Sequence, residues 1–77
     1  MVSTEEKLRN LTQEERESIL EAFKGVYGKM MPNSKYLDYL YAEFKRLIDE
    51  NFEPKCSRCK RRVIDFWRGR LEIWKML

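Results

Sequence analysis

Between Val63 and Leu77 the apolar residues Val63, Ile64, Phe66, Trp67, Leu71, Ile73, Trp74 and Leu77 recur at steps of three and four, the period of an α-helix. At about 100° per residue they span an arc of about 180°. A helix that is apolar over half its circumference has to be covered by two others, so this segment predicts a bundle. Extended backwards, the same arc takes in Cys56 and Cys59. Gly69 interrupts the run and costs about 1 kcal/mol relative to alanine in a helix interior, yet Trp67, Leu71 and Trp74 stay in phase across it. The expectation is one continuous helix from Cys56 or Ser57 to the final leucine, with a break at Gly69 as the alternative.

Two further segments supply the covering helices. Ser3 with Glu6 and Thr12 with Glu15 are S/T-x-x-E patterns, in which a hydroxyl and a carboxylate satisfy free backbone N–H groups at a helix start. The stretch before Thr12 reads as a short, frayed helical turn. From Gln13 to about Tyr27 a stripe of Ile19, Leu20, Phe23, Val26 and Tyr27 continues to Met30, with Gly28 as the stop and Pro32 just beyond. Asn33 or Ser34 caps a second helix over about 35–51, carrying Leu37, Leu40, Tyr41, Phe44, Leu47 and Ile48 and ended by Pro54. Tyr39 falls off that stripe and is expected to be exposed, a candidate contact residue. A chain of 77 residues can fill one core only, so residues 1–77 form a single helical domain. The fold class is all-α, a small three-helix bundle with a short N-terminal helical turn.

The 43% hydrophobic and 13% aromatic content suffices for folding. The opening MVSTEEKL is acidic where a signal peptide is basic and then apolar, so no targeting segment is expected. No stretch approaches the roughly 20 apolar residues that span a bilayer. The chain is expected to be cytoplasmic and to have no membrane partner; if viral, it belongs to the host cytoplasm or the virion. A domain this small has little stability to spare, which leaves a homo-oligomer open.

The net charge of +3 is unevenly placed. Within 55–70 seven cations (Lys55, Arg58, Lys60, Arg61, Arg62, Arg68, Arg70) stand against Asp65 alone, and such local fields draw anionic partners. Arg58, Arg61, Arg62, Arg68 and Lys75 are expected to form a ridge along the solvent face of the last helix, able to follow phosphates but interrupted by Asp65 and Glu72. Arg70 instead falls inside the apolar arc, where a charge is costly unless paired. It either snorkels to the rim beside an acid such as Glu43 or Asp49, or faces a partner protein, since arginine among aromatics is enriched at binding hot spots.

Two cysteines are too few for the disulfide framework of a small secreted domain, so reduced thiols or a metal are expected. Three readings of Cys56 and Cys59 stay open. Both are small core residues, in phase with Val63 and Trp67. Or they are half of a zinc site, which needs four ligands and, with no histidine and no third cysteine, would be shared between two chains. Or they are a redox pair, whose position at a helix start among Arg and Lys lowers a thiol pKa, although no preceding strand supports a thioredoxin-like sheet. With no histidine, no serine in a nucleophile setting and no glycine-rich phosphate loop, the usual catalytic constellations are missing, and the chain is not expected to be an enzyme.

The order LTQEERESI, a helix-loop-helix and then PKCSRCKRRVIDFW resembles small all-helical proteins of tailed bacteriophages, some of which open their last helix with CxxC. The resemblance implies a non-enzymatic role as a virion or accessory component, or as an inhibitor that docks on a host protein. The leading expectation is therefore a small binding protein whose contacts come from the basic face, Tyr39 and Arg70. A nucleic-acid-binding module using the basic face is second, and a zinc-linked homodimer through Cys56 and Cys59 third.

Overall fold

A computed structural model describes residues 3–77; Met1 and Val2, where the reading for a targeting segment begins, lie outside them. Four helices follow one another, α1 Thr4–Arg9, α2 Gln13–Lys24, α3 Ser34–Leu47 and α4 Ser57–Ile73. There is no strand among the described residues. Helices α2, α3 and α4 pack on one another pairwise and α1 lies against α3. The architecture is the expected small all-helical bundle. Among the described residues no helix is long and apolar enough to cross a membrane.

Both S/T-x-x-E patterns start helices. The Glu6 N–H donates to Ser3 Oγ at 3.2 Å, and at α2 the box is reciprocal, with Glu15 N–H to Thr12 Oγ1 at 3.1 Å and Thr12 N–H to Glu15 Oε1 at 3.2 Å. The Thr12 backbone N–H, and after it the Thr12 hydroxyl acting on the carboxylate itself, hold the Glu15 carboxyl below its ordinary pKa. The segment before Thr12 is not a frayed turn. Leu8 is 1% exposed and Leu11 is also in the core, so α1 is docked by an L-x-x-L step that buries one side of it.

Two helix ends differ from the sequence expectation. Helix α3 stops at Leu47 rather than near Asn51. The Ile48 and Asp49 N–H groups both reach the Phe44 carbonyl (2.8 and 3.2 Å), and Asn51 N–H donates to Asp49 Oδ1 at 3.0 Å. That local side-chain bond offers the backbone an alternative to the helix ladder, so the chain turns before Pro54. Helix α2 stops at Lys24 with Gly25 as its cap; a Cβ at Gly25 would overlap the Tyr36 ring, and Gly28 then takes φ 74°. Since the helix ends early, its stripe does not continue. Tyr27 is 46% and Met30 100% exposed, where an extended stripe would have placed them inward.

The core holds Ile19, Ala22, Phe23 and Val26 of α2 and its end, Leu40, Phe44 and Leu47 of α3, and Val63, Trp67 and Leu71 of α4. Trp67 is fully buried, and its Nε1–H donates to the Leu40 carbonyl at 3.1 Å. The largest core side chain thus leaves no polar atom unpaired. Phe44 meets Phe52 and Phe66 edge-on at 5.0 and 5.4 Å, a favoured aromatic geometry.

Helix α4 runs unbroken through Gly69, where an added Cβ would meet nothing within 4 Å. It does not reach the last leucine. Lys75 N–H bonds to the Glu72 carbonyl (3.0 Å) and Met76 N–H to the Leu71 carbonyl (2.9 Å), with Lys75 at φ 60°. This is a Schellman end, in which a left-handed residue turns the chain off the helix axis. Met76 folds back against the core, while Ile73 (66%) and Leu77 (54%) are exposed, so the inward arc is narrower than eight residues in phase implied.

Candidate functional site

The residues expected to act together separate into two groups along α4. In its first turns Arg58, Lys60, Arg61 and Arg62 are all exposed, and none of them enters an ion pair among the described residues. They stand at the positive end of the helix dipole, which adds to their field. Lys60, counted in the basic segment but not in the expected ridge, is exposed with them. In the first turn only Cys59 is half-buried, and full burial along α4 begins at Val63, which is 0% exposed.

Farther along, the cations are occupied. Arg68 lies 3.6 Å from Glu72 and its guanidinium sits over the Tyr27 ring at 5.5 Å. Lys75 is off the helix altogether, at the left-handed position of the C-terminal turn, so it is not part of the ridge. The ridge therefore shortens to the first turns of α4.

Arg70 is withdrawn from solvent, as its place in the apolar arc predicted, but its partner is neither Glu43 nor Asp49. Its two terminal nitrogens donate to both carboxylate oxygens of Glu5 in α1, at 2.8 and 3.3 Å. The guanidinium also stands over Phe66 at 5.9 Å. Bidentate pairing satisfies both terminal nitrogens of the half-buried guanidinium, while its buried Nε has no hydrogen-bond partner among the described residues, and the Arg70 hydrogen bond, followed by its charge, holds the Glu5 carboxyl below the usual range. Glu43 instead pairs with Arg46, which also reaches Glu15 at 3.4 Å. Arg70 ties α1 to α4 through the Glu5 pair. Sequence could not supply this pairing, because Glu5 and Arg70 lie 65 positions apart.

Tyr39 is half-buried, which corrects the expectation of exposure. It lines a groove between α2 and α3 with Ser18, Glu21, Ala22, Lys35 and Tyr36. Burial, and then the charge of Glu43, push its hydroxyl pKa up. Trp74 is half-covered, with the Arg16 guanidinium 4.9 Å from its ring, so neither indole is a free stacking platform.

Cys56 and Cys59 are not core residues and are not reduced. Cys56 is exposed, Cys59 half-buried, and their sulfurs are joined in a disulfide with Cα atoms 5.3 Å apart. The cause is local. Cys56 is the N-cap of α4, in extended conformation (φ −125°, ψ 156°), so the helical wheel does not apply to it, and its side chain folds over the first turn as a capping serine would. Its Sγ accepts the Cys59 N–H at 3.2 Å. Since the third helical residue is itself a cysteine, the capping sulfur meets the second one. Closing so short a loop constrains the unfolded chain by only about 2 kcal/mol in the chain-entropy view. In this form neither sulfur is a thiolate ligand, and no group of three or more His, Cys, Asp or Glu suited to a metal occurs among the described residues.

No family model, curated protein or solved structure matches the chain.

Proposed function

We propose that the protein is a small non-enzymatic binding protein that docks on an acidic surface of a protein partner through the first turns of α4. The observation that carries this reading is the cluster of Arg58, Lys60, Arg61 and Arg62, exposed and without acidic neighbours in ion-pair range. Four cations within five residues, about one and a half turns or roughly 7.5 Å of helix, make a compact patch. A surface that follows a nucleic-acid backbone runs longer, and here Asp65 and the Arg68–Glu72 pair end the positive stretch. The protein also exposes Tyr27, Met30 and Met31 (46%, 100% and 92%); methionine-rich apolar surface adapts to protein partners and gives nothing to a phosphate backbone. The likeness of the segment order to small helical phage proteins favours a host-protein inhibitor or a phage accessory component within this class. Nucleic-acid binding is the second reading, favoured by the same unpaired cations.

The test is affinity capture from bacterial lysate with and without nuclease, comparing wild type with the double substitution Arg61→Glu, Arg62→Glu. The expected result is an acidic protein that survives nuclease, is released by raised salt, and binds the double variant about tenfold or more weakly. Capture of nuclease-sensitive material alone selects the second reading. Capture indifferent to salt and to the double substitution overturns both.

A further inference from the structure

The disulfide of Cys56 and Cys59 has a placement that a structural staple does not need. It joins no two elements, lies at the surface, and its two sulfurs occupy unequal surroundings. Cys56 is exposed at the N-cap of α4, where the backbone N–H of Cys59 points at its Sγ and Arg58, Lys60 and Arg61 follow. Lys55 beside it is paired with Glu53. Helix N-termini and neighbouring cations favour a thiolate. Cys59 is half-buried and faces a groove lined by Phe44, Phe52, Asp49, Glu53 and Arg62, where aromatic burial and two carboxylates oppose a thiolate against one guanidinium.

We infer that Cys56 and Cys59 form an exchange-active pair, with Cys56 as the sulfur that external thiols attack and that attacks external disulfides, and Cys59 as the resolving thiol. The inference is independent of the docking partner. With a dithiol as reductant, one of its thiolates attacks Cys56 Sγ. The S–S bond breaks, and its electron pair leaves on Cys59 Sγ, which takes a proton from water. A mixed disulfide now links the reductant to Cys56. The second thiolate of the reductant attacks its own sulfur in that link, so Cys56 leaves as a thiolate and the reductant departs as a cyclic disulfide. Two electrons have passed to the protein. The Cys56 thiolate still accepts the Cys59 N–H, so α4 keeps its cap in both states and exchange needs no refolding of the helix.

The experiment uses the full chain, reduced with dithiothreitol, freed of reductant, and treated with substoichiometric iodoacetamide across about pH 6 to pH 10. Trypsin cuts after Lys55, Arg58 and Lys60, so the two alkylated cysteines fall in different peptides. The thiol that is more readily a thiolate reacts faster at the acid end, only partly offset by its weaker nucleophilicity, and the expected preference there is about threefold for Cys56. The preference is expected to shrink or invert at high pH, where both are thiolates. Exposure alone would give a ratio that does not move with pH. A constant ratio, or preference for Cys59 at the acid end, overturns the inference. So does a loss of helical circular dichroism on reduction, because it would make the bond structural.

Discussion

In the second half of α4, Arg68 and Arg70 each lie between a carboxylate and an aromatic ring, Glu72 and Tyr27 for one, Glu5 and Phe66 for the other. In the first half, Arg58, Arg61 and Arg62 have neither an ion pair nor a ring within cation–π range among the described residues. One helix thus holds the same side chain in two different surroundings. The difference comes from what covers it. In the C-terminal half Glu5 of α1 reaches Arg70 and Tyr27, just past α2, lies under Arg68, whereas the arginines of the first turns have no such neighbour among the described residues. A guanidinium with covering neighbours becomes part of the fold, and one without them keeps its charge exposed to solvent.

The strongest way to break this contrast is to substitute each half and measure stability. Trp67→Ala removes a fully buried indole and its bond to Leu40, and the expected loss is about 3–5 kcal/mol, a large part of what a domain of this size possesses. Arg61→Glu and Arg62→Glu, made separately, are each expected to stay within about 0.5 kcal/mol of wild type. Urea unfolding followed by far-ultraviolet circular dichroism measures all three. Comparable losses from the arginine substitutions would place the first half inside the folded scaffold and remove the distinction.

The junction of the two halves offers a sharper, smaller test. Gly69 is helical, and an added Cβ meets open space, so Gly69→Ala is expected to raise stability by about 1 kcal/mol without altering partner capture. A neutral or destabilising result would mean that the helix does not hold continuously through residue 69, and that the halves are separate elements.

How much of this was legible in the sequence depended on the distance over which each determinant acts. The apolar phase of Val63, Trp67 and Leu71 is a local pattern, and all three are buried as it implied. The Thr12–Glu15 box is equally local and formed as read. The end of α3 was misplaced because Pro54 looked like the stop, when an Asp49–Asn51 side-chain bond had already diverted the backbone. Of the three readings of the cysteines, the core one extended a helical wheel onto Cys56, which is extended rather than helical; an N-cap cysteine three residues before another is the local signal that bears on their pairing. The candidate surface was half legible. Charge density marks 55–70 as the basic segment, but which of its arginines are free of an acid or a ring depends on Glu5 and on Tyr27, contacts that only the tertiary fold supplies.

The smallest expected effect concerns the fastening of α1 and is read through pH. The Glu5 carboxyl is held below its ordinary value by the Arg70 hydrogen bond and charge, so its folded pKa is depressed relative to about 4.3 in the unfolded chain. A depressed carboxyl contributes stability that is fully present above the unfolded value and disappears as pH falls through the folded one. Wild type is therefore expected to be more stable than Glu5→Gln at neutral pH, with the two urea midpoints converging below about pH 4. Glu15, the other carboxyl held low, depends on Thr12 and remains in both proteins, so the difference between the curves isolates Glu5. Since Glu5 is at the surface, solvent screens the pair and the separation is expected to narrow further in salt. Parallel curves would show that Arg70 gains nothing from Glu5, in which case burial alone, and not pairing, distinguishes the second half of α4 from the first.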